Sequence, residues 1–171
     1  MSSIGIFCGT AGGTSMVVAD ALAEEFGVDE VINMEEDFDE MDQLLEHDIL
    51  FLGSSTWGQG DVHFSWVDIL LEIESEDVDF SGKTIALFGA GDSVKHGEHF
   101  CSALGKLHDA FTKAGAKVVG FVDKSDYTYE ASLAEKDGKF CGLAIDNHNE
   151  EDKTEERIEN WIAILKQEIK A

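Results

Sequence analysis

The chain has 171 residues, 43% hydrophobic and 9% aromatic, enough for one domain over 1–171 with a sizeable core and short for two. Its formal net charge of −24 at pH 7 repels phosphate backbones and anionic membranes and draws in basic protein surfaces, which argues against nucleic acid or membrane as partner. No apolar run reaches membrane-spanning length, no basic leader opens the chain, and three widely spaced cysteines, Cys8, Cys101 and Cys141, suit buried thiols rather than a disulfide framework or a zinc site; a cytoplasmic protein is expected, or one in the soluble phase of an organelle if a transit peptide was removed.

In chain order, a first strand is predicted over Ser3–Cys8, cut off by the glycine- and hydroxyl-rich GTAGGTS of Gly9–Ser15. A helix follows, marked by Val17, Val18, Ala21, Leu22 and Phe26. Glu30–Met34 reads as a second strand, Met41–Leu45 as a short acidic helix, Asp48–Gly53 as a third strand and Phe64–Ile73 as a helix. The fourth strand is Thr84–Gly89, and after it Phe100, Leu104, Leu107, Phe111 and Ala114 repeat at helical spacing with Gly115 as C-terminal cap. Lys117–Val122 and Phe140–Ile145 are apolar pieces on either side of a polar excursion, Asp123–Lys139, that carries Tyr127 and Tyr129. Ile158, Trp161, Ile162, Leu165 and Ile169 form the stripe of a closing helix, with Thr154 as N-cap, Glu155 and Glu156 in the first turn and Lys166 and Lys170 in the last.

Strands alternating with helices give an α/β chain with a parallel sheet, and the near-continuous hydrophobicity of ILFLG and TIALFG requires cover on both faces. Ligands of such sheets bind beyond the carboxyl ends of the strands, so function is expected in the loops after strands 1, 3 and 4. The first loop lacks the lysine of a nucleoside-triphosphate loop and the glycine spacing of a dinucleotide fingerprint. What is left is a neutral cradle of hydroxyls (Thr10, Thr14, Ser15) and amides at a helix N-terminus, suited to one phosphate monoester. In the third loop, SSTWGQGDVHF, Trp57 next to Gly58 and Gly60 can offer a flat face to a planar ligand, worth about 0.5–1.5 kcal/mol beyond burial. The fourth, GAGDSVKHGEHF, is small residues followed by Asp92, His96 and His99; the two histidines have no third ligand at motif spacing, so a metal is not expected.

GTAGGTS before a helix, STWGQG after strand 3, FGAGD and GEHFC around the fourth loop and GLAID before the closing helix together resemble a flavodoxin, from about Ile4 to Ala171. The excursion matches the long-chain type. The resemblance implies a flavodoxin-like three-layer sandwich: a five-stranded parallel sheet of order 2-1-3-4-5, helices on both faces and strand 5 interrupted by an insertion. It also implies one non-covalent FMN and a low-potential carrier of single electrons, not an enzyme. Its partners would be basic redox proteins such as ferredoxin–NADP reductase or pyruvate oxidoreductase, and the chain would be a monomer. Family roles make Thr10, Ala11, Gly12, Gly13, Thr14 and Ser15 the phosphate loop and Ser54, Ser55, Thr56, Trp57, Gly58, Gln59 and Gly60 one side of the flavin site. Gly89, Ala90, Gly91, Asp92, His96, Gly97, His99, Phe100 and Cys101 make the other side, and Asp146 reaches the ribityl chain. Two positions depart from the family pattern: Gly12 stands where a threonine is usual, and His96 where a tyrosine stacks.

Gly58 lets the Trp57–Gly58–Gln59 turn flip a peptide at low cost and so favour the one-electron-reduced flavin. Carboxylates at Asp61, Asp92 and Asp146 make the second electron more reducing, each by about 1.7 kcal/mol at ten ångströms and an effective dielectric near 20. An alternative of the same fold is an FMN-dependent NAD(P)H:quinone oxidoreductase, which needs a substrate pocket over the flavin.

Overall fold

Long apolar strands flanked by helices need cover on two faces, and the chain provides it with a layer of helices on each side of one sheet. The computed structural model describes residues 3–9, 13–57, 60–93, 99–125, 127–146 and 149–169. In chain order the elements are β1 (Ile4–Gly9), α1 (Thr14–Phe26), β2 (Val31–Asn33), α2 (Asp42–Leu45), β3 (Ile49–Trp57), β4 (Asp61–Val62), α3 (Phe64–Ser75), β5 (Thr84–Ala90), α4 (Ser102–Lys113), β6 (Lys117–Val119), β7 (Val122–Asp123), β8 (Glu135–Lys136), β9 (Lys139–Phe140), β10 (Leu143–Ile145) and α5 (Glu151–Glu168).

The sheet runs β2-β1-β3-β5, and two short strands share the far edge of β5: β6 pairs with its first half and β10 with its last residues, all in parallel. This is the order 2-1-3-4-5 with the fifth strand split. Side chains alternate between two cores. Phe7, Leu50, Leu52, Ile85 and Leu87 pack with Trp66 and Ile73 of α3 and Leu104, Leu107 and Phe111 of α4. Ile6, Cys8, Phe51, Ala86 and Phe88 pack with Val18 and Leu22 of α1 and Ile158, Trp161 and Leu165 of α5.

The split fifth strand is bracketed by two glycines. At Gly120 the backbone turns left-handed (φ +79), its amide donates to Glu168 Oε1 (2.7 Å) and its carbonyl accepts from Trp161 Nε1 (2.8 Å). At Gly142 a Cβ would lie 2.1 Å from the carbonyl oxygen of Leu87, so the returning chain passes β5 too closely for any side chain. Between them the excursion forms its own antiparallel sheet, β7-β9-β8. The expected strand over Phe140–Ile145 is therefore two: β9 belongs to the excursion, and β10 returns to the main sheet after Cys141 and Gly142. Tyr127, Tyr129 and Phe140 gather around Phe100, the Tyr129 ring stacked on it at 5.6 Å. Gly105 of α4 meets the backbone of Leu133, where a Cβ would be 2.1 Å from the carbonyl oxygen.

Two further boundaries differ from expectation. The closing helix starts at Glu151, not after Thr154, because Glu150 turns the chain: its amide donates to the Asp146 carbonyl (2.8 Å) and its carboxylate pairs with Arg157 (3.0 Å). Glu151 and Asp152 then occupy the first turn, where the helix dipole favours acids. The third strand does not end at Gly53 but runs on to Trp57, since Ser54 and Ser55 pair with β5 and Thr56 and Trp57 pair with β4.

Gly120→Ala places a Cβ 2.9 Å from the Trp161 ring at a left-handed backbone position. The expected cost is about 1–3 kcal/mol, measurable by urea unfolding of the FMN-free protein; an unchanged midpoint would show that the strand break tolerates a side chain.

Candidate functional site

Register brings the loops to one level. Gly9 of β1 lies opposite Ser54 of β3, Ser54 opposite Gly89 of β5, and Gly89 opposite Ala144 of β10. A row of glycine, serine, glycine and alanine thus crosses the sheet at its carboxyl edge, with no large side chain rising from it. A Cβ at Gly89 would sit 2.3 Å from the Ser54 carbonyl oxygen, and one at Gly9 would sit 2.5 Å from Ser65 Oγ. The order also reverses at β1, whose two neighbours β2 and β3 are reached by crossovers to opposite sides, the place where such sheets open a ligand crevice.

At that crevice stands the N-terminus of α1. Its N-cap, Gly13, is left-handed (φ +80) and provides no side-chain cap, and its first turn holds no acid. Ser15 is fully buried, and its hydroxyl has no hydrogen-bond partner among the described residues. A buried hydroxyl left unmatched beside uncapped helical amides costs about 1–3 kcal/mol unless something polar binds there. These residues fit an anion such as a phosphate ester.

The third loop is closed by a hairpin. Thr56 and Trp57 pair antiparallel with Val62 and Asp61, and Thr56 Oγ1 accepts from the Ala103 amide (3.3 Å), which ties the end of β3 to the start of α4. Gly60 (φ +92) is wedged against Ser102, 2.9 Å from where its Cβ would be, and beside His99. His63 then caps α3: Nδ1 accepts from the Ser65 amide (3.3 Å) and lies 2.7 Å from Ser65 Oγ, while the His63 amide donates to Ser54 Oγ (2.9 Å).

On the other side, the Gly91 amide donates to the Ile145 carbonyl (3.0 Å), and a Cβ at 91 would meet the Cys101 amide at 2.9 Å. Asp146 is fully buried. Its Oδ2 accepts from the Ser93 amide (3.3 Å) and from the Ser93 hydroxyl, and its Oδ1 from Asn149 Nδ2 (2.9 Å), which also donates to Asp92 Oδ1 (2.8 Å). Ser93 and Asn149 were not among the residues marked from sequence; the polar run DNHNE after an apolar strand was the available sign of a side-chain-braced turn.

Gly13, Thr14, Ser15, Ser54, Ser55, Thr56, Gly60, Gly89, Ala90, Gly91, Asp92, His99 and Asp146 thus all lie at or beside the carboxyl edge. Phe100 packs into the aromatic cluster of the excursion and also reaches the edge, its Cδ1 lying 3.2 Å from where a Cβ at Gly91 would be. Cys101 is buried beneath Gly91. Thr10, Ala11, Gly12, Gly58, Gln59, His96 and Gly97 lie outside the described residues, as does the side chain of Trp57.

The flavodoxin family model matches residues 6–161, and flavodoxin 1 of Azotobacter vinelandii is 55% identical over 171 residues, covering 99% of this chain and 98% of that one. The chain belongs to the flavodoxin family. A flavodoxin of Picosynechococcus sp. is 41% identical over 170 residues, covering 97% of each chain. The solved structure of Fusobacterium nucleatum flavodoxin bound to flavin mononucleotide matches with a TM-score of 0.88 at 33% identity, covering 98% of this chain and 99% of that one.

In this flavodoxin the three thiols are free and buried. Burial pushes Cys8 and Cys141 up to about 12, and Cys101 higher still, so none is poised as a thiolate at neutral pH. Of the three acids expected to load the site with negative charge, Asp61 is paired with Lys106 (2.9 Å), while Asp92 and Asp146 share the Asn149 amide.

Burial holds His63 below the usual histidine range, partly opposed by the charge of Glu35. With the folded value depressed, the unfolded chain takes up a proton first. The neutral cap therefore contributes fully above the ordinary histidine value, and its contribution is lost as pH falls below about 6.5. His63→Asn keeps a capping acceptor without the titration. Unfolding free energies of the FMN-free protein from pH 7.5 to 5.5 should diverge in favour of the variant, by about 1.4 kcal/mol per pH unit at most. Parallel pH profiles would show that the cap survives protonation.

Proposed function

We infer that the protein is an electron carrier built around one non-covalently bound FMN, passing electrons between redox partner proteins. Flavodoxins are carriers rather than enzymes, and this chain matches them over its length. The observation that carries the cofactor reading is the acid-free, uncapped N-terminus of α1 with the buried, unmatched Ser15 hydroxyl beside it. FMN supplies one- and two-electron chemistry when bound, and the chain decides which electron steps are easy.

Gly13, Thr14 and Ser15, with Thr10, Ala11 and Gly12, hold the phosphate through amides and hydroxyls. Because position 12 is glycine, amides carry more of that binding here. Ser54 to Gly60 would hold the ring system from one side, and Gly89 to Asp92, with His96, Gly97 and His99, from the other. Asp146 keeps the Asp92–Ser93 turn in place from below, through Ser93 and Asn149. Phe100 and Cys101 support the site from behind. Basic redox proteins of the ferredoxin–NADP reductase and pyruvate oxidoreductase kinds suit the charge of the chain, and its self-repulsion favours a monomer in the cytoplasm.

Ser15→Ala separates ligand binding from folding. Removing a hydroxyl that no protein group matches should leave the FMN-free protein equally or more stable, while FMN binds about 10- to 100-fold more weakly. Fluorescence titration with FMN and urea unfolding read the two effects. In anaerobic titration the loaded protein should take up electrons in two resolved one-electron steps and should not consume NAD(P)H on its own; failure to bind FMN would remove the assignment.

A further inference from the structure

Helix α3 presents an apolar stripe outward. Phe64, Val67 and Leu71 are 60%, 43% and 59% exposed at spacings of three and four, where an amphipathic surface helix ordinarily turns such a stripe inward. Across from it, α4 and its C-cap offer only Ala110 and Ala114 besides Lys106 and Lys113, so an open groove runs between the two helices with Leu70, Ile73 and Val78 as its floor. The two lysines are engaged at the groove's ends, Lys106 with Asp61 (2.9 Å) and Lys113 with Glu74 (3.4 Å).

Beyond those two paired lysines, the charge around the groove is negative. Residues 61–79 contain seven acids and no lysine or arginine. Asp77 and Asp79 line the groove and are exposed, and α3 ends without a basic residue in its last turn, so its dipole adds to the negative potential there.

We propose that this groove docks a basic protein partner through an amphipathic helix, with apolar residues between α3 and α4 and lysine or arginine on the flanks against the acidic rim. This rests on the electron-carrier reading and gives its partner a recognition chemistry. Charge chooses the occupant: a second copy would set acids against acids, and anionic lipid or nucleic acid is repelled, whereas a cationic amphipathic helix matches both the stripe and the rim. The groove starts at Asp61, which pairs with Trp57 in the hairpin that closes the third loop, so a helix seated there lies beside the site.

The test uses the FMN-loaded full chain and a labelled synthetic leucine/lysine amphipathic helix about four turns long, with a scrambled peptide of equal composition as control. Anisotropy should show the amphipathic peptide binding about tenfold tighter than the scramble, with that advantage weakened by salt and lost in Val67→Ser/Leu71→Ser. Amide shifts should move in α3 and α4. Equal affinity for both peptides, or an advantage that survives the double substitution, overturns the proposal. So does concentration-dependent dimerisation that the same substitutions abolish, since it would give the groove to a second copy. The substituted side chains are exposed and lie outside the FMN site, so FMN affinity should not change. The same peptide contrast on FMN-free protein tests the groove even if the cofactor assignment fails.

Discussion

The structure above the sheet depends on how closely the backbones of Ser54 and Gly89 approach. Any side chain at 89 would begin 2.3 Å from the Ser54 carbonyl oxygen, so β3 and β5 stay in register to their carboxyl ends only because that position carries none. The same condition holds next door, where Gly142 slides past Leu87 to let β10 join β5. The result is a low rim from which the loops leave at a common height. Hydroxyls, glycines and amides can then be presented without large side chains in the way, and a planar ligand can approach backbone from two sides. Beneath the rim, packing is ordinary: two cores of alternating strand residues, each closed by a pair of long helices.

A second constraint is electrostatic. A chain of net charge −24 that binds a phosphate must do so against its own field. No lysine or arginine lies in Gly9–Ser15 to help. The solution is local: helix-end partial charges act within the first turn, and the Debye length at physiological salt is about 8 Å, so acids farther off are largely screened there. The contrast between two helix starts shows the division. α5 carries Glu151 and Asp152 in its first turn, while α1 carries none and has no side-chain cap over its amides. Acids absent from that turn are numerous elsewhere, notably around α3, where residues 61–79 hold seven.

Strand positions and helix faces were legible in the sequence because they rest on apolar periodicity, whereas the sheet order came with the family resemblance: Leu104, Leu107 and Phe111 are buried as their spacing requires, and so are Ile158, Trp161 and Leu165. The connection between β1 and α1 was legible as a loop type, from small residues between a strand and a helix. Pairing was not. Ser54 and Ser55 have no strand-like composition, and they and the following Thr56 and Trp57 join the strand through partners on β4 and β5. Thr154 is a good N-cap by propensity, yet the ion pair between Glu150 and Arg157 moves the start of the helix upstream. Phe100 sits at the right spacing for the α4 stripe but packs against the excursion, whose fold no periodicity announced.

That excursion is more than cover for an edge strand. A fully buried carboxylate such as Asp146 is tolerable only with its lone pairs engaged, and here Ser93 and Asn149 engage them. The segment that carries Asp146 is held from both ends by one residue of the excursion. The Tyr127 hydroxyl donates to the Ala144 carbonyl (2.7 Å), and the Tyr127 ring lies under the Arg157 guanidinium (3.8 Å), whose Nη2 pairs with Glu150. Glu150 in turn donates its amide to the Asp146 carbonyl. Order in the Asp92–Ser93 turn thus passes through Asp146 and Glu150 to Arg157 and Tyr127, and the insertion that splits the fifth strand also supports the loop at the rim.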